Sequence, residues 1–571
     1  MAKKSKYADW TKDELIKRIE ALEKRKKYGL VWDEERTKEK FETDADGKLP
    51  VLKEVKSKEI KTDQDKPTHI LIEGDNYHAL SVLNYTHERA VDVIYIDPPY
   101  NTGNKDFRFN DSYVDREDPY RHSKWLSFMR KRLVLARNLL KDSGIIVVSI
   151  DDNELAQLRL LCNEVFFERN FVAILPTIMN LKGNQDQFGF AGTHEYTLVY
   201  CKDINGAHIN HFNIDEQEVQ EKWQEDGSGF FKRGANLKAS GAEATRQDRP
   251  KMYFPVFVSK DDRVYVTEDD KPPAILKGKC DEIYPKTEGK EMRWRWEKKK
   301  FANDSAEIIV VRNNGEISLY KKQRPSLSDL PSRKPKTLFY KPEYSSGNGT
   351  NLLKLMFGGK IFDNPKPLEL IKDLIFLTTS KQATVLDFMA GSGTTGHSVL
   401  ALNRSDGGKR QFILCTNNEN NICSDVCYPR LQKVIRGFKK ANDETVEGFG
   451  GNLKYYRTAF VPQEPTDKNK ELLTKEAVEM LCLRENTFEF VSETDSFKLF
   501  KNKDHYTGIV FDQLAIPKFK KAVSKFDKPI SVYVFSLGDD DFSDEFTDMK
   551  KAVRVCPIPE AILRVYRRIF K

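Results

Sequence analysis

The chain lacks any run approaching the roughly 18 consecutive apolar residues of a membrane span. No membrane role is therefore expected. The opening MAKKSKYADW carries lysines but no apolar stretch, so it does not read as a secretory signal. Cysteine is sparse: there are eight in 571 residues. Only Cys423 and Cys427 lie close in sequence, without CxxC spacing or a neighbouring histidine. All eight read as reduced thiols of a cytoplasmic protein, which excludes a disulfide framework and argues against zinc. The nine histidines form no ligand cluster, so no metal is expected. There is no Gly-Lys-Ser/Thr phosphate loop, no helicase or nuclease array and no internal repeat.

What is present is a charged, core-forming chain. Hydrophobic residues make up 39% and charged residues 32%. The length suggests three or four domains. The formal charge of +8 is modest, but it is unevenly placed. Residues 230–345 hold 26 Lys and Arg against 17 Asp and Glu, a local excess of 9. A basic middle segment is the electrostatic footprint of a nucleic-acid reader.

The stretch Val93-Ile94-Tyr95-Ile96-Asp97-Pro98-Pro99-Tyr100-Asn101 organises the chain. Its apolar, β-branched start reads as a buried parallel strand. Two prolines then fix φ and forbid a helix. The result is a stiff turn at the carboxyl edge of a sheet, where open α/β folds place ligands. It offers a carboxylate, a proline carbonyl and an aromatic ring. Such a set suits a flat ring bearing an exocyclic amino group, although Asp-Pro and Pro-Pro also occur in turns that only punctuate.

Nearly 300 residues later comes Thr384-Val385-Leu386-Asp387-Phe388-Met389-Ala390-Gly391-Ser392-Gly393-Thr394-Thr395-Gly396. This is again a strand ending in an acid, now followed by a glycine turn and a helix start. Glycines let backbone approach a ligand closely, and a helix amino end favours anions. The spacing matches neither a phosphate loop nor a dinucleotide fingerprint. It fits a nucleoside with an amino-acid tail, namely S-adenosyl-L-methionine.

Together DPPY and DFMAGSGTT resemble the amino-methyltransferases of DNA, in their β-class circular order. Four other stretches resemble segments of the same class: Ile72-Glu73-Gly74-Asp75-Asn76 with Leu80 and Leu83, Thr193–Tyr200, Phe362-Asp363-Asn364-Pro365-Lys366-Pro367, and Leu370-Ile371. Lys27–Trp32 and Leu49–Leu52 resemble the modification (Mod) subunits of type III restriction–modification systems. The catalytic resemblance covers residues 68–202 and 348–440. It implies that Asp97, Pro98, Pro99 and Tyr100 are catalytic. It places Asp387, Gly391 and Gly393 around the methionine part of the cofactor, Asp75 near its adenine, and Phe362 and Lys366 beside it, with Thr394 a further cofactor-binding candidate. Glu419 is the candidate for the ribose, with Asn417 as the alternative. Asn101, Phe107 and His194 are candidates to line the base pocket.

The implied fold is α/β, a Rossmann-like methyltransferase core with permuted motif order. Five segments are expected. Residues 1–66 form a charged arm with one helix, capped by Thr11 and Glu14 and carrying Leu15, Ile16, Ile19 and Leu22; it either lies solvated on the core or docks a partner. Residues 67–202 are the first half-core, with helices at Tyr77–Asn84, Arg121–Leu140 and Glu154–Phe166. Residues 203–347 are assigned as the target-recognition domain. There Arg293-Trp294-Arg295-Trp296 alternates cations and rings, either as a strand with tryptophans in the core or with Arg293 and Arg295 on DNA. Residues 348–440 are the second half-core. Residues 441–571 are expected as a separate α+β domain whose acidic Gly538–Phe546 reads as a solvated turn.

Three functions compete at this stage: an N6-adenine methyltransferase, an N4-cytosine methyltransferase, and a DNA-reading subunit of a larger machine. Family members acting on cytosine more often carry Ser-Pro-Pro-Tyr, so Asp97 favours adenine. The resemblance further implies double-stranded DNA as substrate, a homodimer, and a separate helicase–nuclease (Res) chain for any restriction.

Overall fold

The computed structural model describes residues 10–23, 30–34, 36–39, 47–63, 65–183, 189–214, 223–241, 243–276, 278–313, 315–324, 332–440, 443–538, 540, 542–549 and 552–570. Lys27, Tyr28 and Gly29 of the amino-terminal resemblance lie outside them. The chain forms two compact units, one of residues 1–210 with 336–571 and one of residues 211–335. No helix of the described residues is long and apolar enough to cross a membrane.

A nine-stranded sheet runs through the larger unit. Its strands are β1 (Lys48–Glu54), β2 (Thr68–Glu73), β3 (Val91–Ile96), β4 (Leu140–Ile150), β5 (Phe171–Ile178), β6 (His194–Cys201), β7 (Thr384–Asp387), β8 (Gln411–Thr416) and β9 (Asn452–Pro462). The spatial order is β1-β9-β2-β8-β7-β3-β4-β6-β5. The six strands from β9 to β4 run parallel. β1, β6 and β5 are antiparallel additions at the edges. Ile94 and Ile96 of β3, Leu386 of β7 and Ile413 of β8 are fully buried, as expected for parallel strands covered on both faces. The motif-bearing strands β3 and β7 are direct neighbours, with Val93 opposite Val385 and Ile94 opposite Leu386. From β3 the chain continues to β4 on one side, and from β7 to β8 on the other. The two acid-tipped turns therefore meet at the topological switch point, where open α/β sheets bind ligands.

The expected helices appear as α1 (Lys12–Glu23), α2 (Asn76–Thr86), α3 (Arg121–Leu139) and α4 (Leu155–Cys162). The amino end of α1 is capped as expected: the Thr11 amide donates to Glu14 Oε2 (2.8 Å) and the Glu14 amide to Thr11 Oγ1 (3.3 Å). Ile16 and Ile19 of α1 are exposed. Three features differ from expectation. β4 begins at Leu140, directly after α3, so the last residue of the expected helix Arg121–Leu140 opens the strand, which runs on through Ser143-Gly144. β5 was not anticipated, because Pro176 and partial exposure blur its alternation. Residues 48–54 of the expected solvated arm form the edge strand β1.

The second half-core supplies α5 (Ser346–Phe357), α6 (Leu368–Thr378), α7 (Thr394–Asp406) and α8 (Tyr428–Arg436). Residues 441–571 do not stand apart as expected. β9 lies within the main sheet, pairing β2 on one side and β1 on the other. Beyond it, β10 (Glu489–Glu493), β11 (Phe497–Lys501), β12 (Tyr506–Val510), β13 (Ile530–Phe535) and β14 (Val553–Ile558) make a second sheet. Leu481, Tyr533 and Ile562 from this region share one hydrophobic core with Leu80 and Leu83 of α2. A continuous core makes the carboxyl-terminal segment part of the larger unit.

The smaller unit has its own core of Leu237, Phe254, Val256, Val258, Trp294 and Phe301. Residues 203–210 and 336–347, expected within it, belong to the larger unit. Trp294 is buried and its indole donates to the Phe254 carbonyl (2.9 Å). Arg293 donates to the Glu243 carbonyl (3.1 Å), and Arg295 is exposed. Trp294 makes an isolated bridge to Lys238, and residues 293–296 do not form a regular strand.

Candidate active site

Asp97 stands where β3 ends, and the diproline turn carries its successors over the sheet edge. The turn is clamped from α3: the indole of the fully buried Trp125 donates to the Pro99 carbonyl (2.7 Å). Asn101 closes the turn in a left-handed conformation (φ 60°). Its side chain is buried and donates to Glu154 Oε1 (2.5 Å) and the Arg121 carbonyl (3.3 Å). It holds the turn from behind and does not line the cleft in front. Phe107 likewise packs inward against Phe109 and Phe128.

A cleft of about 1020 Å³ opens in front of the turn. Asp97, Pro98, Tyr100, His194 and Lys366 all line it. Asp106, Asp151, Asp152 and Glu195 add carboxylates, and Arg116 a cation. His194 is exposed, with Nε2 3.0 Å from the Tyr196 hydroxyl. Glu195 is the functional neighbour that sequence reasoning did not single out. It accepts a hydrogen bond from the Tyr100 hydroxyl (3.0 Å) and one from Lys366 Nζ (2.6 Å). Lys366 Nζ also reaches the Tyr100 hydroxyl (2.5 Å) and lies 3.4 Å from Asp97 Oδ1. That oxygen is buried and makes no hydrogen bond. Burial raises the Asp97 pKa, Lys366 opposes the rise, and Glu195 adds to it. Burial works against charge on Lys366, but Asp97 and Glu195 outweigh it and raise its pKa.

The segment bearing Lys366 is seated by α5. A Cβ added at Gly349 would lie 2.1 Å from the Pro365 carbonyl, so only glycine permits this approach.

The glycine turn follows β7. Asp387 is buried and turned inward, accepting from the Met389 amide (2.9 Å) and the Thr395 hydroxyl (2.5 Å). Burial pushes its pKa up to about 7, against those two bonds. Gly391 and Gly393 take positive φ of 49° and 78°. The Phe362 ring stands over Gly391, 3.6 Å from where a Cβ would be. Thr394 and Ser392 are held by the fully buried Arg430, whose Nη1 donates to their hydroxyls at 2.8 and 3.0 Å. Arg430 was not anticipated either, because α8 reads as a strongly charged surface helix. Asp75 caps α2 through the Tyr77 amide (2.8 Å) and is half exposed. Glu419 is paired with Arg108 of the loop after the diproline turn, and Asn417 is exposed. Among the described residues no group of three or more His, Cys, Asp or Glu side chains could hold a metal.

Glu154 beneath Asn101 gives a pH prediction. It is fully buried, Oε2 has no partner, and burial pushes its pKa up to about 8 from 4.5. A carboxyl with a raised folded pKa contributes stability that is full below its unfolded value. That contribution declines as pH rises between about 4.5 and 8 and is lost above. Glu154→Gln is therefore expected to melt with wild type near about pH 5 and above it near about pH 9. Thermal melts across that range check this; a gap independent of pH would show that Glu154 does not titrate in the fold.

Residues 91–426, more than half the chain, match the N6/N4 methyltransferase family described as DNA methylase, and the chain belongs to that family. The EcoPI Mod subunit of a type III restriction-modification enzyme, from Escherichia phage P1, is 44% identical over 393 residues, covering 65% of this chain and 60% of that protein. The type II methyltransferase M.KpnI of Klebsiella pneumoniae is 33% identical over 379 residues, 65% of this chain and 85% of that protein. The StyLTI Mod subunit of Salmonella typhimurium is 31% identical over 446 residues, 71% of this chain and 62% of that protein. The chain thus spans about 60% of the length of these two Mod subunits.

Proposed function

We propose that this chain transfers a methyl group from S-adenosyl-L-methionine to N6 of an adenine turned out of double-stranded DNA. In this reading it is the modification and specificity subunit of a type III-like restriction–modification system, working in the cytoplasm as a homodimer beside a Res helicase–nuclease chain. The observation that carries the chemistry is the partly exposed Asp97 carboxyl, which lines the cleft with Pro98 and Tyr100 at the end of β3, beside the β7 strand that leads into the glycine turn.

The residues present suit the cofactor. The positive-φ glycines with the Phe362 ring above them form an open backbone cradle, and the start of α7 favours a carboxylate. Gly391, Gly393, Thr394 and Phe362 would hold its methionine part, with Asp75 and Glu419 as candidates for the nucleoside. When bound, S-adenosylmethionine supplies an electrophilic sulfonium methyl group. The exocyclic amine of adenine is a weak nucleophile because its lone pair is delocalised into the ring. Asp97 accepts one N6–H and the Pro98 carbonyl the other, which draws the nitrogen toward sp³ and frees the lone pair. Tyr100 stacks on the base. The work is orientation and electrostatics, on a base that must leave the duplex. His194 lines the cleft that receives it. The basic segment 230–345, with exposed Arg295, is the assigned reader of the target sequence.

The match to 85% of the type II methyltransferase M.KpnI supports a second reading, a methyltransferase that works without a Res chain. Incubation with labelled S-adenosylmethionine and methyl-free genomic DNA, followed by mass spectrometry of the bases, tests the chemistry. N6-methyladenine is expected. N4-methylcytosine would overturn the substrate, and no incorporation by folded, cofactor-binding protein would leave a DNA-reading subunit instead. A neighbouring gene for a helicase–nuclease separates the two system-level readings.

A further inference from the structure

We propose that Lys366, paired with Glu195, is a positioning residue that sets the charge and orientation of Asp97 and Tyr100 for the incoming amine, and is not a cofactor contact. This deepens the reading above and rests on it. Lys366 was expected beside the cofactor. Its ammonium instead turns into the base cleft, with a side chain only 10% exposed. It meets groups from two other parts of the sheet: Asp97 and Tyr100 after β3, and Glu195 on β6.

The charge count gives the pair its purpose. Asp97 and Glu195 share the one ammonium, and further acids face them: the buried Asp387 of β7 acts on Asp97, and Asp151 of the cleft acts on Glu195. Without Lys366, Asp97 and Glu195 would be like charges in one partly buried pocket. Such pairs hold a proton between them. A protonated Asp97 can no longer offer both oxygens as acceptors to an N–H donor. Lys366 opposes the rise that burial and Glu195 impose on the Asp97 pKa, and it does so through an ion pair at 3.4 Å that leaves Oδ1 without a hydrogen bond. Oδ1 is thus turned to the ammonium and buried, while the carboxyl side chain keeps 30% exposure and lines the cleft, where it can accept from the amine. Glu195 balances the ammonium, so that it does not oppose the positive charge that grows on the amine during methyl transfer. By accepting the Tyr100 hydroxyl, Glu195 also fixes the ring that stacks on the base.

The test compares full-length wild type with Lys366→Met, Lys366→Arg and Glu195→Gln. For Lys366→Met, kcat should fall by about 30-fold or more while cofactor affinity, read by calorimetry, changes less than about 3-fold. The acidic limb of its kcat–pH profile should move up by about one unit. Lys366→Arg should recover part of the loss. Glu195→Gln should move the limb down, because it removes the like charge. A second readout needs no activity: infrared titration of the substrate-free protein. In the difference spectrum against wild type, which already carries the protonated Glu154 and partly protonated Asp387 carboxyls, Lys366→Met should show an additional protonated carboxyl band at neutral pH that the Lys366→Met/Asp97→Asn double variant lacks. If Lys366→Met weakens cofactor binding and leaves both the pH profile and the infrared band unchanged, the proposal is wrong and Lys366 is a cofactor residue. If wild type methylates no DNA, the function reading fails, while the infrared arm still decides the role of Lys366.

Discussion

Asp97→Asn is expected to lower methyl transfer by at least about 100-fold, the cost of removing one preorganised electrostatic group, while cofactor affinity stays close to wild type. The substitution keeps the size of the side chain, so the diproline turn clamped by Trp125 keeps its shape. What it removes is the negative charge, and it puts an N–H₂ where one acceptor stood. An amide oriented by the ammonium of Lys366 would turn its oxygen toward that cation and its amino group toward the incoming N6–H. Two donors would then face each other. Lys366 would also lose one of its two carboxylate partners and keep only Glu195. The loss should therefore fall on kcat, since the interaction is made with the reacting nitrogen and strengthens as positive charge develops there. Single-turnover methylation with calorimetric cofactor binding checks this. Full activity in Asp97→Asn would show that the carboxylate is not the amine acceptor.

The parts of this site that were legible in sequence are those written in one short stretch. Runs of β-branched residues ending in Asp97 and Asp387 announced β3 and β7, because a strand buried on both faces must be apolar throughout. The start of α7 was legible from the glycines before it. The partners of these groups were not legible, because the fold and not the local chain brings them together. Glu195 reaches Lys366 across 171 residues of sequence, and nothing in THEYTLVY sets that glutamate apart from an exposed strand residue. Arg430 looked like one more cation on a polar helix, yet it is fully buried behind the glycine turn. Asn101 and Phe107 were placed in the pocket by proximity to Tyr100. The left-handed turn at Asn101 sends its side chain back into the core, and Phe107 joins the aromatic cluster under the loop. The same limit applied to β9, whose place between β1 and β2 depends on long-range pairing, so residues 441–571 read as a separate domain.

Gly393→Val is expected to weaken cofactor binding by on the order of 100-fold, with Gly393→Ala near about 10-fold. Two costs meet at this position. The backbone has φ 78°, where an L-residue pays roughly 1–2 kcal/mol and a β-branched one more. A Cβ would also stand 3.0 Å from the Sγ of Cys427, which is fully buried at the junction with α8 and cannot withdraw freely. The turn would relax by moving Thr394 and Ser392 off Arg430, whose buried guanidinium donates to these hydroxyls and the Ser392 carbonyl and lies beside the His397 ring. Distortion therefore spreads along the cradle under Phe362. The control is Gly407, which ends the same helix at φ 66° with nothing within 4 Å of an added Cβ. Gly407→Ala pays the same kind of backbone strain in open space. It should lose about 1 kcal/mol of stability and no cofactor affinity. If the two alanine variants weaken binding equally, strain in α7 as a whole governs the site. If only the Gly393 variants do, the turn itself is the binding surface.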